Sequence, residues 1–177
     1  LKFILGDDHD VLKRLIDASQ YTNSEIIFRT TPENPFIYWE GIDELIKNHI
    51  SGKYDLSIVD GLPLGSNYEI INREALEISH KDGGKEHRSE LCSLFINQNQ
   101  DRFKIFRHKP KVTVLRPEMR LTVDTPEDLI VARIIHQKLG KEKTPITLEK
   151  IIKFLDRNPT ISKINLDIPI GVSRIWN

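Results

Sequence analysis

The sequence lacks the features that mark disulfide-stabilised, membrane-spanning and nucleic-acid-binding proteins. It has one cysteine, Cys92, so no disulfide can form within the chain. Its 26 basic residues are matched by 26 acidic residues, and no net charge remains to attract nucleic acid or an anionic membrane surface. No apolar run approaches the roughly 18 residues of a membrane span, and no signal-peptide pattern is visible. These absences predict a cytoplasmic protein that binds neither membranes nor nucleic acid.

Several catalytic motifs are absent as well. The sequence has no Walker A loop, no G-x-G-x-x-G loop and no G-x-S-x-G nucleophile elbow, and its histidines show no metal-ligand spacing. Cys92 lies in the apolar stretch 91–95, which favours a small buried side chain over a nucleophile.

Alternating apolar and amphipathic segments indicate the fold class. The chain has 177 residues, of which 38% are hydrophobic and 29% charged, as expected for one globular domain with a sizeable core. Apolar periodicity predicts extended segments at 3–5, 25–29, 55–60, 68–71, 103–106, 112–115 and 121–123. It predicts helices at 11–19, 39–50, 73–80 and 86–98, a helix that begins at 125, and a last helix over 145–158. This alternation favours an α/β fold with a mainly parallel sheet.

The segment 123–129 contains a carboxylate that helix capping does not explain. Thr125 suits the N-cap position, Pro126 suits the first helical turn, and Asp128 completes a capping box. Asp124 has no such duty, although it stands where a predicted strand meets a helix. Ligands of open α/β sheets bind beyond the strand ends, and Mg²⁺ takes one or two such carboxylates. Asp124 is therefore a candidate Mg²⁺ ligand.

A second candidate carboxylate lies in the loop 31–35. Pro32 and Pro35 stiffen this loop and fix the direction of Glu33. If Glu33 faced Asp124, the two would form a two-carboxylate metal site. The alternative is an exposed loop glutamate with no ligand.

Other polar residues are candidates for substrate contacts. Glu69 follows a glycine-containing loop and could accept hydrogen bonds from sugar hydroxyls. Arg29 and Arg120 lie near the two proposed ligand loops and could bind phosphate or carboxylate. The pair Glu86 and His87 either begins a helix or binds substrate. For each of them a solvated surface position is the alternative.

Five stretches resemble one known family, and they occur in that family's order. They are the segments 120–129, 6–14 and 27–37, the loop 62–65 that leads to Glu69, and the pair Glu86-His87. The chain resembles the spore-coat polysaccharide biosynthesis protein F family, which is related to CMP-KDO synthetase and acylneuraminate cytidylyltransferase. The strongest match is the stretch Arg-Leu-Thr-Val-Asp-Thr-Pro-Glu-Asp-Leu at 120–129.

The resemblance implies a Rossmann-like nucleotide-diphospho-sugar transferase fold and a homodimer. It implies Mg²⁺-dependent transfer of CMP from CTP to a sugar hydroxyl, with release of pyrophosphate, in the synthesis of surface polysaccharide or glycoconjugate precursors. On this pattern Glu33 and Asp124 bind the metal and act in catalysis together with Arg29. The implied substrate-binding residues are Asn34, Glu69, Glu86, His87 and Arg120.

The sequence departs from the family pattern in two places. Pro32-Glu33 stands where the family has Gly-Asp, and the family's opening nucleotide-binding strand and loop have no counterpart here. We therefore expect a cytidylyltransferase-like domain over 1–140 that is truncated at its amino terminus, followed by a helical extension over 141–177. The departures keep two alternatives open: a non-catalytic sugar- or nucleotide-binding module, and a structural subunit whose exposed edge pairs with another chain.

Overall fold

The computed structural model describes residues 3–141 and 144–169. The strands in this part are β1 (Ile26–Arg29), β2 (Leu56–Val59), β3 (Glu69–Asn72) and β4 (Ile105–His108). The α-helices are α1 (Val11–Tyr21), α2 (Ile42–Gly52), α3 (Arg73–Asp82), α4 (Leu94–Gln98), α5 (Pro126–Leu139), α6 (Leu148–Arg157) and α7 (Pro159–Ser162). Short 3-10 turns cover Trp39–Gly41, Lys85–Arg88 and Val112–Val114. Strands and helices interleave along the chain, as the sequence predicts.

The chain divides into two compact units, each assembled from separate stretches. The first unit contains the described residues up to 29 together with 44–58 and 69–108. The second unit contains 30–43, 59–68 and the described residues from 109 onward. The sequence-based domain limits of 1–140 and 141–177 stay a prediction, and residues 142, 143 and 170–177 of the predicted extension lie outside the described part.

The sheet of the first unit has the strand order β1-β3-β2-β4. Ile71 of β3 lies opposite Ile27 of β1 and Leu56 of β2. Helices α1, α3 and α4 contribute to the core beneath it. The buried members of that core are Leu12, Ile16, Leu56, Ile71, Ala75, Leu76, Cys92, Phe95, Ile96 and Phe103.

The prediction of a mainly parallel sheet is wrong for the two pairings of β3. β3 runs antiparallel to both of its neighbours, β1 and β2. The physical reason lies in the connection 60–68 between β2 and β3, which contains no helix. A parallel pair needs a crossover of about a dozen residues or more, usually helical, whereas a shorter loop returns the chain antiparallel.

Three predicted strands, at 3–5, 112–115 and 121–123, and one predicted helix take other forms. Residues 3–5 form no strand, and the side chains of Phe3 and Leu5 are almost fully exposed. Residues 112–114 form a 3-10 turn, because the amides of Val114 and Leu115 each donate to the carbonyl three residues earlier. The helix predicted over 86–98 is divided into the turn Lys85–Arg88 and α4. Serines in its middle explain the break, since Ser89 Oγ accepts a hydrogen bond from the amide of Leu91.

The second unit contains the segments that lead into α5. Residues 121–123 were predicted as a strand but form no ladder, and the adjoining Arg120 makes an isolated parallel bridge with Leu64. Helices α5 and α6 contact one another and contribute buried side chains that include Val131, Ile135 and Ile151. None of the helices in the described part of the chain is long and apolar enough to cross a bilayer.

Candidate active site

The start of α5 fixes the backbone that carries Asp124. Thr125 is the N-cap, and its Oγ1 accepts a hydrogen bond from the amide of Asp128 at 3.3 Å. Asp128 Oδ2 accepts in return from the amide of Thr125 at 3.0 Å. The capping box predicted from the sequence is therefore confirmed, and Asp124 stands just before it.

Asp128 does more than cap the helix. Its carboxylate is completely buried, and it accepts hydrogen bonds from Arg120 Nε at 2.9 Å and Arg120 Nη2 at 3.0 Å. Asn165 Nδ2 donates to Oδ1 at 2.8 Å, and the amide of Asp124 donates to Oδ2 at 3.1 Å. Burial alone would raise the pKa of Asp128, but the hydrogen bonds from Arg120, Asn165 and the Asp124 amide outweigh it and lower that pKa. The buried carboxylate is thus held in its charged form.

Arg120 links this buried carboxylate to Asp124. Its Nη2 also donates to Asp124 Oδ2 at 2.8 Å. The side chain of Arg120 is 5% exposed, whereas that of Asp124 is 23% exposed. Arg120 Nη1 is buried and has no hydrogen-bond partner in the described structure. The predicted contact of Arg120 with substrate stays a prediction, because the contacts seen here are with two protein carboxylates.

One carboxylate oxygen of Asp124 has no hydrogen-bond partner among the described residues. Its Oδ2 is engaged by Arg120, while Oδ1 makes no hydrogen bond with any residue of the described ranges. Partial exposure leaves that oxygen open to solvent. This is the arrangement expected of a carboxylate that can bind a hard cation.

The loop of Glu33 lies against the segment that leads to Asp124. The amide of Val123 donates to the carbonyl of Glu33 at 2.9 Å. Within the loop, the Thr31 hydroxyl donates to the Glu33 carboxylate, and Asn34 Nδ2 donates to Thr31 Oγ1 at 2.9 Å. The structure therefore brings Glu33 and Asn34 to the neighbourhood of Asp124 through the backbone.

Oxygen ligands from Asp124 and Glu33 suit Mg²⁺, which takes one or two carboxylates and completes its shell with substrate phosphates and water. Within 3–141 and 144–169, no three His, Cys, Asp or Glu side chains are grouped to hold a metal ion. A two-carboxylate site is the most that these residues offer. Their donor chemistry fits the predicted metal.

Gly65 allows the loop 62–65 to approach the same segment closely. Its φ of +86° lies in the left-handed region, and an added Cβ would lie 2.5 Å from Thr122 Cα. The amides of Leu121 and Thr122 both donate to the Leu64 carbonyl, at 2.7 and 3.1 Å. The glycine therefore permits the backbone contacts that support the approach to Asp124.

Arg29 and Glu69 form a second group, within the first unit. They face each other across β1 and β3, and Arg29 Nη1 donates to Glu69 Oε2 at 3.0 Å. Arg29 Nη2 donates to the Glu90 carbonyl at 2.7 Å, and the Ser93 hydroxyl donates to Glu69 Oε1. Both charged side chains are less than one-fifth exposed. This ion pair is held firmly, and Ser93 and Glu90 are partners that the sequence analysis missed.

Glu86 and His87 have contrasting environments. The His87 ring is buried, its Nδ1 accepts from the amide of Gly84 at 2.8 Å, and its Nε2 lies 2.8 Å from Gln98 Oε1. Glu86 is 65% exposed in its side chain. The described contacts favour the helix-start alternative for His87, and the predicted substrate role of this pair stays a prediction.

A sequence profile of cytidylyltransferases matches residues 3–165, which is most of the chain. The chain belongs to the cytidylyltransferase family. A solved cytidylyltransferase structure from Leptospira borgpetersenii superposes with a TM-score of 0.80 at 21% identity, covering 89% of this chain and 66% of that one. This likeness confirms the α/β, Rossmann-like nucleotidyltransferase fold.

Two curated proteins are similar to this cytidylyltransferase chain in sequence. The spore coat polysaccharide biosynthesis protein SpsF of Bacillus subtilis is 28% identical over 155 residues, which cover 87% of this chain and 64% of that protein. The uncharacterized protein MJ1063 of Methanocaldococcus jannaschii is 29% identical over 163 residues, which cover 92% of this chain and 66% of that protein. The chain thus spans slightly less than two thirds of the length of these relatives.

The cytidylyltransferase family match supports the resemblance seen in the sequence, whereas the individual site residues stay predictions. Sequence reasoning missed the role of Asn165 and limited Asp128 to helix capping. Arg120 lies four residues before Asp124 and eight before Asp128, and this spacing was a signal that could have indicated their network. Nothing local in the sequence pointed to Asn165, which lies far along the chain.

Proposed function

We propose that the protein containing this chain is a sugar nucleotidyltransferase that transfers CMP from CTP to a sugar hydroxyl and releases pyrophosphate. The observation that carries the proposal is the open Oδ1 of Asp124 at the start of α5, within a chain that belongs to the cytidylyltransferase family. The name of the Bacillus subtilis relative supports a product used in the synthesis of surface polysaccharide or glycoconjugate precursors.

In this proposal Asp124 and Glu33 hold a Mg²⁺ ion together with phosphate oxygens. Such an ion neutralises phosphate charge and helps to orient the attacking oxygen. The chain's own contribution is positional. Arg120 fixes one oxygen of Asp124, and the Val123–Glu33 backbone hydrogen bond keeps the Glu33 loop beside it. Correct placement before reaction is a large part of catalysis in phosphoryl-group chemistry.

The proposal assigns Arg29 to phosphate and Glu69 to sugar hydroxyls. Glu69 already accepts from Arg29 and Ser93, so its orientation is set before any sugar binds. Asn34 is assigned to substrate because Thr31 orients its amide beside Glu33. A homodimer in the cytoplasm completes the proposal, and light scattering of the purified protein tests its oligomeric state.

The test is pyrophosphate release by the purified protein from each of CTP, ATP, GTP and UTP, with Mg²⁺ and a panel of acidic and neutral sugars. We expect release from CTP with at least one sugar and a loss of about a hundredfold or more in Asp124→Asn, because a charged metal ligand is removed. Asp156→Asn is the matched control, since Asp156 is an exposed carboxylate that pairs with Arg116 and makes no hydrogen bond or ion pair with Arg120 or Asp124 in the described structure.

Two outcomes contradict the proposal. No release from CTP with any sugar favours the non-catalytic binding module. Unchanged turnover in Asp124→Asn shows that the reaction does not depend on this carboxylate.

A further inference from the structure

We propose that Asp128 and Arg120 form a positioning device that fixes one carboxylate oxygen of Asp124 and leaves the other for the metal, an inference that rests on the proposed function. Neither residue is assigned to the metal, and the side-chain contacts of Arg120 in this structure are with two protein carboxylates. The guanidinium of Arg120 is shared between two carboxylates of the second unit.

The charges of Arg120, Asp124 and Asp128 do not cancel. The guanidinium of Arg120 carries one positive charge, and it binds the carboxylates of both Asp124 and Asp128. The group of three therefore keeps one net negative charge.

The two carboxylates of this group differ in how many of their oxygens have partners. Both oxygens of Asp128 are occupied by donors from Arg120, Asn165 and the backbone, and its side chain is completely buried. Asp124 gives only Oδ2 to Arg120 and is the exposed member of the group. The uncompensated charge is thus available at Asp124 Oδ1, where a cation can reach it.

Arg120 also fixes the position of Asp124. Arg120 Nε and Nη2 both donate to Asp128, and this bidentate contact fixes the plane of the guanidinium. The same Nη2 then sets the position of Asp124 Oδ2. Asn165 strengthens the arrangement, because it donates to Asp128 Oδ1 and to the Arg120 carbonyl at 3.1 Å.

Asp128→Asn removes one of the two carboxylates that share Arg120. Without the second carboxylate, the charge of Arg120 is shared with Asp124 alone and the net charge of the group falls to zero. We expect the affinity for a divalent cation to fall about tenfold, in the range found when residues that orient metal ligands are changed. Arg120→Lys should lower it similarly, because a lysine ammonium keeps the charge but cannot donate to both carboxylates in a fixed fork.

The experiment is titration of the purified protein with Mn²⁺ alone, with free Mn²⁺ measured by electron paramagnetic resonance. Melting temperatures are recorded for the wild type and every variant. Val131→Ala is the stability control, because it shortens a buried side chain of α5 outside the network. Asp156→Asn is the charge control, because it removes a carboxylate from another arginine pair. Both controls should keep wild-type Mn²⁺ affinity even where the melting temperature falls.

The Mn²⁺ affinities of the variants and the controls decide whether Asp128 and Arg120 position Asp124. Reduced Mn²⁺ affinity in Asp128→Asn and Arg120→Lys, but not in the two controls, supports the inference. Equal affinity in the wild type, Asp128→Asn and Arg120→Lys overturns it and leaves the proposed function standing. If Asp128→Asn does not fold, Arg120→Lys alone decides between these results. A wild-type protein that binds no Mn²⁺ overturns this inference, which requires a metal site without nucleotide, and leaves the proposed function to be tested with CTP present.

Discussion

Gly65 and Gly61 offer a matched pair of substitutions that separates backbone conformation from close packing. Both glycines have a positive φ, +86° and +77°. Alanine at either position should cost about 1–2 kcal/mol, because the left-handed region brings Cβ close to the backbone. The two sites differ in what the new Cβ meets. At Gly61 it meets only the end of the Leu115 side chain, at 2.9 Å, whereas at Gly65 it meets the backbone of Thr122.

The additional cost at Gly65 follows from the contacts that must move. The Leu64 carbonyl accepts from the amides of Leu121 and Thr122, and the Leu64 amide donates to the Met119 carbonyl at 2.8 Å. A backbone hydrogen bond contributes about 0.5–1.5 kcal/mol net, so loss or distortion of these contacts adds roughly 2–4 kcal/mol. For a chain of this size each kcal/mol lowers Tm by about 2–4 °C.

Thermal and urea unfolding of the wild type, Gly61→Ala and Gly65→Ala measures this difference. We expect Gly65→Ala to melt roughly 5–15 °C below Gly61→Ala. Equal destabilisation by the two substitutions would refute the argument, because it would show that the approach of this loop to Thr122 contributes nothing beyond conformation.

Two further predictions concern buried titratable groups of the first unit. Burial raises the pKa of the Cys92 thiol. A disulfide-exchange reagent should therefore react with Cys92 at least about a hundredfold more slowly in the native protein than in urea. Similar rates in the two conditions would contradict the burial of this thiol. Burial lowers the pKa of His49, whose ring contacts Ser57 and Asn72, so the unfolded state binds a proton more readily. Stability should therefore fall as pH drops below the ordinary histidine value near 6.5, by up to about 1.4 kcal/mol per unit from this group. Urea unfolding at pH 7.5 and 5.5 measures this loss, and the free energy of unfolding should change less between the two pH values in His49→Gln than in the wild type. An equal change in both proteins would show that other groups cause the pH dependence.

Local signals in the sequence were sufficient to predict the start of α5. Threonine, proline and aspartate at 125, 126 and 128 determine the cap through contacts within four residues, and the structure confirms them. The same reasoning isolated Asp124 as a carboxylate without a capping role. Helix limits near α1 and α3 were also predictable, because apolar spacing alone reports the buried face.

Contacts between distant parts of the chain were not predictable in this way. The direction of β3 depends on the form of the connection 60–68 and on pairing with two other strands, and an apolar run does not report either. Asn165 reaches Asp128 from 37 positions further along the chain. The burial of Arg120 was unpredictable for the same reason, since it results from tertiary packing and not from its neighbours in sequence.

The central claim is that Asp124 belongs to a Mg²⁺-dependent CTP site, and calorimetric titration of CTP into the protein tests it without knowledge of the acceptor sugar. Titrations are run with and without Mg²⁺ on the wild type, Asp124→Asn and the Asp156→Asn control. We predict CTP binding that requires Mg²⁺, is weakened at least about tenfold in Asp124→Asn and is unchanged in the control. Absence of CTP binding by the wild type, or binding that neither Mg²⁺ nor Asp124→Asn alters, would contradict the claim.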